Sequence, residues 1–68
     1  MRISYNRLWK KMIDLSCSKT QLRDLSGIST TTLAKLGKNQ SVSMEVLMKI
    51  CKALNCELND ICEFINEQ

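Results

Sequence analysis

The spacing of apolar residues along the chain predicts a series of short helices and no β-strand. In five segments apolar residues recur every three or four positions, which is the spacing of one face of an α-helix. The predicted helices cover residues 5–15, 19–25, 30–36, 44–54 and 60–65. Their predicted inward faces comprise Leu8, Trp9, Met12 and Ile13 in the first helix, Leu22 and Leu25 in the second, Leu33 and Leu36 in the third, Val46, Leu47, Ile50, Cys51 and Leu54 in the fourth, and Ile61, Cys62 and Ile65 in the last. The pattern therefore predicts an all-α fold of five helices.

The ends of these helices carry residues with capping chemistry. Serines precede three of the predicted helices, where a hydroxyl can accept a hydrogen bond from a free backbone amide: Ser18, Ser29 and Ser43. Ser18 also lies three residues before Gln21, which is the capping-box spacing. Gly27 ends the second helix and Gly37 the third. The second and third helices are thus short, capped and joined at a glycine, as in a helix-turn-helix.

Size and composition narrow the class of protein. The 68 residues are predicted to form one domain, residues 1–68, and they contain no proline, only two glycines and few aromatic residues, which favours helix over strand. No apolar run is long enough for a signal peptide or a membrane span, so the sequence predicts a soluble cytoplasmic protein. Its four cysteines are then expected to be reduced thiols.

Charge is distributed unevenly between the two halves of the chain. Residues 1–38 contain eight lysines and arginines against two aspartates, whereas residues 39–68 contain two lysines against five acidic residues. A basic half of this kind suggests contact with a polyanion. The alternative is a solvated surface whose charge is merely uneven.

The outer face of the third predicted helix offers a physical reason for its three consecutive threonines. That face would display Thr30, Thr31, Ala34 and Lys35. Short side chains allow a helix to approach base edges in a major groove about 12 Å wide, and a threonine offers both a hydroxyl and a methyl group to the bases. The alternative is that the threonines are solvent-exposed capping residues.

From Cys17 to Cys56 the sequence resembles the lambda-repressor and Cro-like helix-turn-helix domains of bacterial and phage transcription regulators, especially the short stand-alone members. The features that carry the resemblance are Ser18 with Leu22, Gly27-Ile28-Ser29, Thr32-Leu33, and Leu47, Ile50, Ala53 and Leu54. It extends through the first and last predicted helices. The resemblance implies a compact five-helix bundle, double-stranded operator DNA as the ligand, and commonly a dimer that binds two half-sites.

The resemblance also implies roles for individual residues. Carried over by position, Ser29, Thr30, Thr31 and Lys35 match family positions that face bases or nearby phosphates. With Ala34 on the same face, the predicted base-reading set is Thr30, Thr31, Ala34 and Lys35. The predicted phosphate-binding set is Lys19, Ser29, Lys38, Asn39 and Ser41. Arg23 stands where the family commonly has a small residue.

These expectations combine into a prediction of function and a rival to it. The prediction is a sequence-specific transcription regulator, and a repressor in particular, because repression needs only occupancy of a promoter. The rival is an antitoxin-like or partner-binding module with the same fold. A homodimer interface is predicted at Ile61, Phe64 and Ile65, and the alternative is that this segment is a simple lid over the core.

An enzyme, a metal site and a cofactor site are not expected. The chain has no histidine, no C-x-x-C pair, no evident pair of catalytic carboxylates and no glycine-rich phosphate loop. No small-molecule ligand is evident either. The cysteines lie at apolar positions and are predicted to be buried and inert, with a thiol sensor as the alternative.

Overall fold

In the computed structural model, which describes residues 1–66, four α-helices lie between two short β-strands. The elements in chain order are β1 (Arg2–Ser4), α1 (Asn6–Asp14), α2 (Lys19–Ser26), α3 (Thr30–Gly37), α4 (Met44–Leu54), a 3-10 turn (Leu58–Asp60) and β2 (Glu63–Ile65). The two strands pair antiparallel, with Arg2 opposite Ile65, Ile3 opposite Phe64 and Ser4 opposite Glu63. The protein is therefore mostly helical, with a small sheet that joins the two ends of the described chain.

Three of the predicted helix starts are confirmed by side-chain caps. The Ser18 hydroxyl accepts from the Gln21 backbone amide at 3.1 Å, and the Gln21 side chain accepts from the Ser18 amide at 2.8 Å, which completes a capping box. Ser29 and Ser43 cap α3 and α4 in the same way, each accepting from the amide three residues later. Gly27 ends α2 with φ of 76°, in the left-handed region that glycine adopts without steric cost.

The prediction of a fifth helix over residues 60–65 is wrong, and so is the prediction that the chain has no strand. Ile61 is fully buried, as expected, but Glu63–Ile65 is a strand that pairs with Arg2–Ser4. The segment before it is a single 3-10 turn, in which the Glu57 amide donates to Asp60 Oδ2 at 2.9 Å. A three-residue strand is too short to show alternating polarity, so the local pattern could not distinguish it from a short helix.

Each helix contributes at least one buried residue to the core, and three more core residues lie outside the helices. The buried apolar residues are Tyr5, Leu8, Met12, Leu22, Ile28, Leu36, Leu47, Ile50, Leu54 and Ile61. Two predicted core residues are instead on the surface: Leu25 is 65% exposed and Ile13 is 76% exposed. Successive helix residues are rotated by about 100°, so Leu25 is displaced by about 60° from Leu22, the buried residue of α2. Ser26 lies closer to Leu22 around the helix axis, is half-buried, and donates to the Leu22 carbonyl at 2.6 Å.

Tyr5 connects the start of the chain to the loop after α3. Its side chain is fully buried, and its hydroxyl donates to the Gln40 carbonyl at 2.7 Å. Its backbone amide donates to Asn39 Oδ1 at 3.2 Å, and Asn39 itself has φ of 54°. Burial raises the pKa of the Tyr5 phenol, which keeps this donor protonated. The loop that follows α3 is thereby fixed to the residue between β1 and α1.

Replacement of Tyr5 by phenylalanine is expected to lower the free energy of unfolding by about 1 kcal/mol, because it removes one hydrogen bond and leaves the ring in place. Urea unfolding followed by circular dichroism measures the change. The matched control is Lys49→Ala, which removes the exposed Lys49–Glu45 ion pair at 3.8 Å and is expected to cost less than about 0.5 kcal/mol. Equal stabilities of the Tyr5→Phe protein and the parent would show that the phenol bond does not hold the loop.

Candidate nucleic-acid interface

The outer face of α3 is exposed, as the sequence predicts. Thr30, Thr31, Ala34 and Lys35 are all exposed, whereas Leu33 is half-buried and Leu36 is fully buried. The helix is therefore fixed by one side and presents two hydroxyls, three methyl groups and an ammonium on the other. Only Lys35 has a long side chain, and the two exposed residues of the first turn, Thr30 and Thr31, are small.

The turn between α2 and α3 sets the angle at which this face is presented. Gly27 bends the chain, and Ile28, which is only 6% exposed, packs into the core at the corner. Ser29 then caps α3, accepting from the Thr32 amide at 3.1 Å and donating to Thr32 Oγ1 at 3.0 Å. The corner is thus fixed by a buried side chain and by a closed pair of hydroxyls.

In the first turns of α2 and α3, no acidic side chain balances the positive end of the helix dipole. Neither helix has an acidic residue in its first turn, whereas α4 has Glu45 there. The amides of Thr30 and Thr31 precede the first intrahelical hydrogen bond of α3, which runs from Leu33 to the Ser29 carbonyl. Free amides and an uncompensated helix dipole attract anions such as phosphate.

Lys19 stands at the first position of α2, where its charge opposes the helix dipole. Its ammonium lies 4.9 Å from the centre of the Trp9 ring, a cation–π distance that offsets part of this cost. Trp9 itself is half-buried, as predicted for a residue of the α1 apolar face. Both residues line a cleft of about 440 Å³ that also includes Gly37 at the end of α3. Lys19 is therefore held close to the helix that carries the threonines.

Arg23 makes a contact that the sequence does not indicate. From α2 its guanidinium donates to Thr30 Oγ1 at 3.3 Å and to Asp24 Oδ1 at 3.4 Å and 3.5 Å. The contact crosses the turn between the two helices, so no spacing within either helix indicates it. The Arg7 side chain also has partners within the protein: it donates to the Asn59 carbonyl and forms an ion pair with Glu63 at 3.0 Å.

The remaining predicted phosphate-binding residues differ in their exposure and in the hydrogen bonds that they already make. Lys38 and Ser41 are exposed in the loop after α3. Asn39 is half-buried, and its side-chain oxygen accepts from the Tyr5 amide. The Ser29 hydroxyl donates its proton to Thr32 Oγ1. A phosphate at this position would therefore accept hydrogen bonds from backbone amides and not from the serine hydroxyl.

Comparison with known families identifies the domain type. A family model described as a Cro/C1-type helix-turn-helix DNA-binding domain matches residues 7–67. The chain belongs to this family. The Cro/C1-type match begins in α1 and includes the helix pair joined at Gly27, so the resemblance carried by residues 17–56 is confirmed.

A solved structure agrees with the Cro/C1-type assignment. The chain is similar to the crystal structure of the transcriptional regulator VanUg (form II), with 52% sequence identity and a TM-score of 0.93. The similarity covers 97% of this chain and 88% of that one. Comparison with curated proteins gave no match.

The cysteines of this Cro/C1-type domain are free thiols, all four half-buried. Among residues 1–66 no group of three or more potential ligands is arranged to hold a metal ion, and none of the helices could span a membrane. Burial raises the pKa of the Cys51 thiol to about 11, with the neighbouring Cys56 as a second cause. Burial also raises the pKa values of Cys56 and Cys62, against the opposing effects of Lys11 and Arg7 respectively. Since the thiolate is the reactive form, the raised pKa values lower the reactivity of these three thiols at neutral pH.

The raised Cys51 pKa predicts a loss of stability in alkaline solution. The unfolded thiol ionises near pH 9.0, so the stability that the buried neutral thiol contributes is fully present below that pH and is lost as the pH rises through about 11. Urea midpoints measured between pH 8 and pH 11 should therefore fall less steeply for Cys51→Ala than for the parent. Identical slopes for the two proteins would show that Cys51 does not contribute to this loss.

Proposed function

We propose that the protein is a sequence-specific transcription regulator that places α3 in the major groove of DNA. The observation that carries the proposal is the outer face of α3, which is small, hydroxyl-bearing and exposed in a Cro/C1-type domain. The similar VanUg chain is a transcriptional regulator, which supports the same role here. An eight-residue helix is about 12 Å long, which suits a groove of about the same width.

The charges of the domain favour this orientation on DNA. Thr30, Thr31, Ala34 and Lys35 face the bases, while Lys19 and Lys38 from the basic part of the chain, together with Ser41 in the loop after α3, contact the phosphates on either side. The free amides at the start of α3 add donors for a phosphate. Repression is the simplest output, because it requires only that the domain occupy a promoter.

Selection of bound sequences from a random duplex library tests the proposal. Specific and non-specific affinities commonly differ by about 10³ or more at physiological salt, so a groove-reading helix should enrich one motif. Absence of any enriched motif would favour the rival function of a partner-binding module. A palindromic motif would indicate that two copies bind together.

The base-reading and phosphate-binding roles are separated by two variants. Lys35→Ala is expected to relax sequence preference and to cost about 1 to 3 kcal/mol on the selected duplex. Lys19→Ala should weaken binding to selected and random duplexes equally, and should lower the dependence of log affinity on log salt by about one contact, or 0.9. Fluorescence anisotropy at several salt concentrations measures both. Equal losses on both duplexes for Lys35→Ala would remove this residue from the base-reading set.

The homodimer is proposed on the face that carries Phe64. Of the three residues predicted for the interface, Ile61 is fully buried and Ile65 half-buried, whereas Phe64 is 73% exposed. Nearby, two clefts of about 380 Å³ and 290 Å³ share Glu57 and Leu58 and continue to the exposed methionines Met44 and Met48. An apolar surface of this extent suits a self-association site.

Phe64→Ala is expected to weaken self-association at least tenfold in sedimentation equilibrium, because it removes the largest exposed ring from this face. The matched control is Leu25→Ala, which truncates an equally exposed apolar side chain on α2 and should leave association unchanged. A Phe64→Ala protein that associates as strongly as the parent would exclude this residue from the interface.

A further inference from the structure

The contact between Arg23 and Thr30 bears on which base α3 selects. Arg23 Nη1 donates to Thr30 Oγ1 at 3.3 Å, and the same guanidinium is held by Asp24 through Nε and Nη2. The Arg23 side chain is 37% exposed and Thr30 is exposed at the first position of α3. Two nitrogens of the planar group therefore contact Asp24 on α2, and the third contacts the first residue of α3.

The direction of this hydrogen bond follows from the chemistry of its partners. A guanidinium can only donate, so the Thr30 oxygen must be the acceptor. The oxygen keeps a second lone pair, but the cationic donor on the first strengthens the hydroxyl as a donor and weakens it as an acceptor. Within residues 1–66 no acceptor takes the Thr30 hydroxyl proton in the structure. Thr30 therefore presents a hydrogen-bond donor to whatever approaches α3.

We propose that Arg23 is a specificity-determining positioning residue that biases the Thr30 hydroxyl towards donating and so favours an acceptor on the facing base. In the major groove the matching acceptors are purine N7, guanine O6 and thymine O4, whereas the amino groups of cytosine and adenine would oppose the donor. The inference rests on the proposed DNA-binding function and adds a residue to it. Without Arg23, the threonine hydroxyl rotates freely and can accept or donate, which relaxes the preference at that base pair.

The test is a double-mutant cycle on the duplex that the parent protein selects and on its single-base variants. Arg23→Met removes the donors while keeping a long side chain, and Thr30→Val removes the hydroxyl. Each variant should lose about two- to twelvefold of discrimination at one and the same base pair, which corresponds to one hydrogen bond. The double variant should lose no more than either single variant, because the two residues act as a unit.

Separate control experiments exclude a general effect of charge and a loss of folding. Lys10→Met removes one exposed cation of α1, so it should weaken binding through charge while preserving the base preference at every position. Arg23→Lys keeps the charge but lacks the planar fork that Asp24 holds, so it should lose the same discrimination as Arg23→Met. Thermal unfolding of all variants checks that none has lost the fold.

Two results would overturn the proposal without touching the proposed function. One is an enriched motif whose base preferences are identical for Arg23→Met and the parent. The other is additive losses in the double variant, which would mean that Arg23 contacts DNA independently of Thr30. Failure of the parent itself to select any motif would instead overturn the proposed function, and the inference with it.

Discussion

The buried Tyr5 is the contact on which the arrangement of the domain depends. It lies between β1 and α1, and its two hydrogen bonds join the start of the chain to Asn39 and Gln40, the loop that follows α3. A small domain buries a limited share of its surface, so a contact that fixes two loops and fills the core at once has a large effect. Because Asn39 lies two residues after Gly37, the last residue of α3, Tyr5 restrains the far end of the helix whose outer face is proposed to meet DNA.

The near end of α3 is restrained by a different set of interactions. Ile28 fills the corner in the core, Ser29 closes the cap, and Arg23 reaches across the turn to Thr30. The outer residues of the helix are thus free of packing constraints while its position is set at both ends. This division allows the exposed residues to change without loss of the fold, which is the property that a sequence-reading helix needs.

Interactions that span a few residues were predictable from the sequence, and interactions between distant segments were not. The caps at Ser18, Ser29 and Ser43 depend on atoms three residues away, so spacing alone indicated them. The sheet joins Arg2 to Ile65, and no local period contains that pairing. The contacts of Arg23 with Thr30 and of Lys19 with Trp9 depend on how helices meet, so the candidate site could be predicted as a face of α3 but not in its supporting contacts.

The central claim is that α3 and the start of α2 form the DNA-contacting surface. The most direct test is a titration of isotope-labelled protein with the selected duplex, in which nuclear magnetic resonance measures the change in each amide chemical shift. The account predicts the largest changes at the amides of Thr30 and Thr31, with further changes at Lys19 and Lys35. Changes confined to the face around Phe64, with none in α3, would contradict it.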